Sequence, residues 1–300
     1  MEGTLNETQW ETLLSRIENG DCIPFLGAGA CADYIPTAAK IAGDWAAECA
    51  YPLRNPNDLS QVAQYLAVTG GDYVAVKEKL LRDCIHDHPS PDFEGPCEIH
   101  GTLARLPIPL YVTTNYDDSM YDALEHFRGR APRRRVCPWY LRPRDRPAVI
   151  EDAEATPDDP IVYHLHGWRG DPGSLVLTED DYLEFLVQVS EEPTPIHPQV
   201  QDALGRKSLL FIGYSLTDWN VRVLFRGLRQ ASRCTSQRSS ITVQLRPTGP
   251  DDSAETRQRV EEYLVAYFDQ MNVHVCWQRA NDFAEALLTR WKERSDGVPD

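Results

Sequence analysis

Paired cysteines are missing from this chain. Its eight cysteines (Cys22, Cys31, Cys49, Cys84, Cys97, Cys137, Cys234 and Cys276) are scattered, and no two stand at the C-x-x-C spacing of a zinc module or a dithiol site. Several lie inside apolar runs, so they read as reduced, buried thiols of a cytoplasmic protein. No stretch approaches the roughly 18 apolar residues of a membrane span. The first 20 residues alternate charged and apolar positions, as an amphipathic helix does and an export signal does not. Basic residues are in short supply: 30 Lys and Arg against 46 Asp and Glu give a net charge of -16, which argues against general nucleic-acid binding. Internal repeats are absent, and no G-x-S-x-G elbow surrounds Ser215 to mark it as a nucleophile.

What is present is the makings of an α/β sheet. The 300 residues are 42% hydrophobic, enough for a sizeable core. Six short runs rich in β-branched or aromatic residues read as buried parallel strands: Cys22–Leu26, Leu110–Thr114, Ile161–Leu165, Leu209–Gly213, Ile241–Leu245 and Val273–Trp277. Helical patterns separate them, at 37–50, 59–66, 73–84, 117–127, 179–189, 219–231, 254–270 and 281–294. Strands alternating with helices predict a Rossmann-like, doubly wound parallel sheet of about six strands in one domain spanning 1–300. The connection over about 32–106 predicts a helical insert after the first strand, at the sheet's carboxyl edge. That over about 128–160, rich in Arg and Pro, predicts little regular structure. Its eight arginines from Arg128 to Arg146 precede an acidic run, which fits either a loop whose halves attract each other or a docking surface or pyrophosphate contact. The tail Arg294–Asp300 suits either a chain end or a junction to further domains.

Four polar or glycine-rich tips follow apolar runs, where an open α/β sheet builds a nucleotide site. Gly27-Ala28-Gly29, with Cys31 close behind, allows backbone N–H groups to approach a pyrophosphate. A full G-x-G-x-x-G is not reached, because Ala32 occupies the third glycine position. Thr114, Asn115 and Asp117 offer more polar groups than one helix cap requires. His164 and His166 fall on one side of a strand by alternation. Gly167 puts His166 at the sheet edge, where an imidazole of ordinary pKa near 6.5 can accept a proton. Gly213, Tyr214 and Ser215 repeat the design after the fourth strand, with Asp218 as a helix cap.

As an ordered set, Gly27-Ala28-Gly29, Asn115 with Asp117, His166-Gly167 and Gly213 with Ser215 resemble the SIR2 superfamily. The flanking Ile35-Pro36, Leu177–Tyr182 and Asp218 are most similar to the SIR2-like domains of bacterial anti-phage defence proteins. Sirtuin deacylases carry paired zinc cysteines and an arginine soon after the glycine turn, and this chain has neither. The resemblance therefore implies NAD as substrate, no metal, and hydrolysis to ADP-ribose and nicotinamide. Asn115 is then expected to orient the attacking water or ribose hydroxyl, His166 to act as general base, and Asp117 to hold the carboxamide or the Asn115 loop. Gly27, Ala28, Gly29, Cys31, Thr114, Gly213, Tyr214 and Ser215 would shape the nucleotide cradle. It also implies control by self-assembly or by a fused or separate sensor protein. Two other readings stay open: a non-catalytic module that senses NAD or ADP-ribose, and an NAD-dependent protein deacylase.

Overall fold

A computed structural model describes residues 4–86, 88–147, 153–190, 194–214, 238–246 and 253–296. The apolar runs form the strands β1 (Cys22–Leu26), β2 (Leu110–Thr113), β4 (Ile161–His164), β5 (Ser208–Ile212), β6 (Ser240–Gln244) and β7 (Val273–Trp277). They are short and largely buried because helices cover both faces of the sheet, and only β6 (Ser-Ile-Thr-Val-Gln) alternates apolar with polar residues along its length. A seventh strand, β3 (Arg133–Val136), comes from the arginine-rich segment expected to lack regular structure. Its backbone pairs in parallel with β4, and its half-buried side chains give no hydrophobic signal. The sheet is parallel throughout, in the order β3-β4-β2-β1-β5-β6-β7.

One face packs against the helices α1 (Glu7–Glu18), α5 (Ile99–Ala104), α6 (Ser119–Arg128) and α10 (Ala280–Asp296), around Trp10, Leu103, Leu124 and Phe283. The other packs against α7 (Glu179–Ser190), α8 (Pro198–Arg206) and α9 (Ala254–Asp269), around Phe185, Val200 and Phe268. Between β1 and α5, the insert adds α2 (Ala38–Glu48), α3 (Leu59–Gly70) and α4 (Tyr73–Cys84), with their own core of Trp45, Val62 and Leu80. Leu175 and Leu177 complete that core. Lys77 on α4, nearly buried, pairs with Asp181 on α7 at 2.8 Å and fixes the insert to the sheet's carboxyl edge. Asn6, Thr37, Asp58 and Asp72 cap the helices that follow them, so the helix starts are locally encoded. The helix expected at 219–231, together with Ser215 and Asp218, lies outside the described residues. Among the described residues no helix is long and apolar enough to cross a membrane.

The arginine-rich segment is held largely by its own neighbourhood. Arg130 and Arg133 both reach Asp159 in the acidic run that follows, at 3.4 and 3.1 Å. Arg128 donates to the carbonyls of Ala104 and Leu106, and Arg146 to Gln188. Here the expectation of mutually attracting halves is the one the contacts favour.

Candidate active site

In an open parallel sheet, the crevice forms where the strand order reverses direction, here between β1 and β5. The turns after these two strands cross at contact distance. A Cβ on Gly27 would lie 2.9 Å from the Gly213 oxygen, and one on Gly29 would lie 2.8 Å from the Gly213 Cα. One on Gly213, whose φ is +81°, would lie 2.3 Å from the Ala30 nitrogen. The N–H groups of Gly27, Gly29 and Ala30 donate to Ile212, Gly213 and Gly27 carbonyls, respectively. These glycines are thus required by the crossing of two turns, which takes up the Gly27 and Gly29 N–H groups in the protein's own hydrogen bonds.

A cavity of about 970 Å³ opens over this crossing and is walled on the far side by the insert. Ala28, Gly29, Cys31, Thr114, Asn115, Asp117, His166, Gly213 and Tyr214 all line it. All strands are parallel, so residues far apart in sequence emerge at the same edge. The Tyr214 hydroxyl donates to the Leu26 carbonyl at 2.8 Å and lies 2.8 Å from the Thr114 hydroxyl, joining the turns after β1, β2 and β5.

Asn115 is held from several directions. Its side-chain nitrogen donates to the Gly27 carbonyl and to the Cys31 sulfur, both at 3.2 Å, and its backbone oxygen accepts from His164 Nδ1 at 3.3 Å. With both amide hydrogens committed to acceptors, Oδ1 is the face left to the cavity. Asp117 accepts the Ser119 N–H at 2.8 Å, a helix-start role, while its other oxygen lies 3.5 Å from the Cys31 thiol. Cys31 is only 2% exposed; burial, reinforced by the Asp117 charge, pushes its pKa well up, so it is a thiol.

The two histidines do not share a side. β4 ends at His164, and the chain turns so that His166 packs against Phe185 and Tyr182 of α7, at centroid distances of 4.8 and 5.6 Å. Nor does His166 keep the ordinary pKa expected of it. Burial lowers it to about 3, and Nε2 has no hydrogen-bond partner within the protein. His164 is lowered to about 4, again chiefly by burial, partly offset by its hydrogen bond to Asn115. Both are therefore neutral imidazoles near pH 7.

Two groups beside the cavity escape sequence reasoning. Asp118, 6% exposed, accepts from Trp168 Nε1 at 2.8 Å and pairs with Arg134 and Arg169, both at 2.6 Å. It ties the loop carrying Asn115 to the turn that follows His166. Arg134 stacks over the rings of Tyr121 and Trp168. From the insert side, Glu98 and His100 approach Cys31. The available signal for this pair was a lone histidine in an otherwise apolar helix, preceded by a capping glutamate.

The SIR2-like domain family model matches residues 109–275. Similar curated proteins include the NAD(+) hydrolase ThsA of Bacillus cereus (strain MSX-D12), 27% identical over 256 residues, which cover 83% of this chain and 49% of that protein. The NAD(+) hydrolase ThsA of Enterococcus faecium is 28% identical over 222 residues, covering 72% of this chain and 42% of its own length. The chain thus spans about half the length of the curated relatives it matches. A solved Sir2 homologue mutant–ADP ribose complex aligns at a TM-score of 0.43 and 12% identity, covering 99% of this chain and 100% of that one.

Proposed function

This chain belongs to the SIR2-like domain family, and on that premise we propose that it hydrolyses NAD to ADP-ribose and nicotinamide as an effector of bacterial anti-phage defence. The observation that carries the reading is the meeting of Asn115 and His166 in the wall of one cavity, with the Asn115 amide hydrogens bonded away from Oδ1 and His166 Nε2 buried without a partner in the protein. The nicotinamide of NAD is a cationic ring that departs neutral, so cleavage needs no general acid. It needs an acceptor to place the attacking water and a base to take its proton as positive charge develops on the ribose. Asn115 Oδ1 supplies the first and the neutral His166 imidazole the second. Asp117 steadies the Asn115 loop through Cys31 and Ser119.

Two curated relatives named as NAD(+) hydrolases support this substrate. An enzyme that drains NAD acts on its own cell, so the proposal includes a cytoplasmic location and control by self-assembly or by a sensor segment or partner. Chromatography of NAD incubated with wild type, Asn115→Ala and His166→Ala tests the assignment. Each substitution is expected to slow product formation by about 10² to 10⁴; equal turnover by all three would remove both residues from the mechanism. The deep burial of His166 favours a second reading, in which NAD or ADP-ribose is bound without being cleaved. Calorimetric binding with no product at any protein concentration would select it.

A further inference from the structure

A chain of buried polar groups runs from the insert to the cavity wall. Glu98 Oε1 lies 2.7 Å from His100 Nδ1, while its other oxygen accepts the Gly101 N–H. On the far side of the ring, Nε2 lies 3.8 Å from the Cys31 sulfur. That sulfur in turn accepts from Asn115 and stands within reach of Asp117. His100 is 1% exposed and the Tyr34 hydroxyl lies 3.2 Å from its Nδ1, so these groups and Tyr34 bond chiefly with one another rather than with water. Burial opposes ionisation of Glu98, but its hydrogen bond and ion pair with His100 outweigh it and hold its carboxyl below the ordinary range.

The directions of these bonds follow from what each atom can do. A carboxylate only accepts, so the Nδ1 hydrogen of His100 turns to Glu98 and the other ring nitrogen, Nε2, faces the Cys31 sulfur. The Asp117 carboxylate calls for the single S–H hydrogen of Cys31. The sulfur's lone pairs then accept the Asn115 N–H beside Tyr34 and His100, and the carboxamide cannot rotate without setting its oxygen against two acceptors, Gly27 and Cys31.

We propose that His100 and Glu98 are positioning residues which, acting through Cys31, hold the Asn115 carboxamide with its oxygen toward the cavity. The inference rests on the NAD-hydrolase reading for its kinetic consequence but not for its structural one. Its test therefore has two arms: ¹H–¹⁵N spectra of the labelled chain, with the Asn115 side-chain amide identified by its loss in Asn115→Ala, and steady-state NAD turnover. Cys31→Ala and His100→Phe are expected to move that amide signal and to lower kcat by about 100-fold, with KM within about threefold. In Cys31→Ser the hydroxyl can donate and accept as the thiol does, and kcat should recover at least about tenfold over Cys31→Ala. Glu98→Gln, which can present an N–H to His100 and reverse the pattern, should move the signal too and serves if His100→Phe fails to fold. Folded variants with an unmoved Asn115 amide would overturn the proposal, as would equal losses in the serine and alanine variants. A moved amide in a chain whose wild type consumes no NAD would sustain the positioning role and remove the hydrolase reading alone.

Discussion

Lowering the pH from about 7.5 to about 5 should weaken the fold through two imidazoles that cannot take up a proton where they sit. In the unfolded chain His164 and His166 protonate below about pH 6.5. In the folded chain they stay neutral until about 4 and about 3, respectively. The stability tied to them is complete above the unfolded value and is lost as pH falls toward the folded ones. At pH 5, about 1.5 units below the unfolded value, each histidine costs about 2 kcal/mol and the pair about 4 kcal/mol. That is a large part of a typical unfolding free energy of about 5–15 kcal/mol. Urea midpoints across this pH range are the assay, with His164→Gln and His166→Phe as comparisons, each expected to flatten the acid loss by about 2 kcal/mol. An acid loss of unchanged size in both variants would refute the reasoning. The same burial gives a kinetic expectation: kcat/KM, which reports groups of the free enzyme, should show no acid limb near pH 6.5.

Two further substitutions probe the frame around the cavity. Gly213→Ala places a Cβ 2.3 Å from the Ala30 nitrogen and 2.7 Å from the Gly27 oxygen, at a φ of +81°. Both neighbours are backbone, so the turns must part, at about 3 kcal/mol or more in unfolding free energy. Asp118→Asn removes the charge facing Arg134 and Arg169, and because both arginines are partly exposed the expected loss is about 2 kcal/mol. In an Arg134→Met background that loss should shrink, and a double-mutant cycle by urea denaturation would measure by how much.

The central sheet was legible because burial on both faces makes β1, β2, β4 and β5 nearly continuous apolar runs, while β6 and β7 keep β-branched or aromatic residues between polar ones. Six strands fall within a residue of where those runs place them. β3 was not legible, because Arg-Arg-Arg-Val carries no apolar run and becomes a strand by pairing with β4. Asn115, Asp117 and His166 could be brought together on paper because a parallel sheet puts every strand's carboxyl end at one edge. The side His166 faces could not, since alternation holds only while the strand continues, and β4 stops at His164. The link between Cys31 and His100 spans 69 positions and joins a turn to a short helix, with no spacing rule to announce it. Ordinary pKa values misled for a related reason: burial of His166 depends on Tyr182 and Phe185, which arrive from the next helix.

The arginine-rich segment gains a meaning from this arrangement that its composition alone did not provide. A strongly acidic chain with one basic stretch invites the reading of a docking patch, but a guanidinium already bonded inside the protein must break those bonds to engage a partner. Arg128 holds carbonyls at the end of α5, Arg133 holds Asp159 and the carbonyls of Ala153 and Glu154, and Arg134 holds Asp118. Asp118 directly follows Asp117 and binds the Trp168 and Arg169 side chains just beyond His166. The strap is therefore coupled to the relative placement of Asn115 and His166, the two groups that the proposed chemistry needs in register. If a partner drew Arg134 away from Asp118, it would leave a buried carboxylate with one fewer cation and loosen both loops together. Docking at this edge would thus reach the cavity through Asp118 only by giving up contacts that the fold already uses.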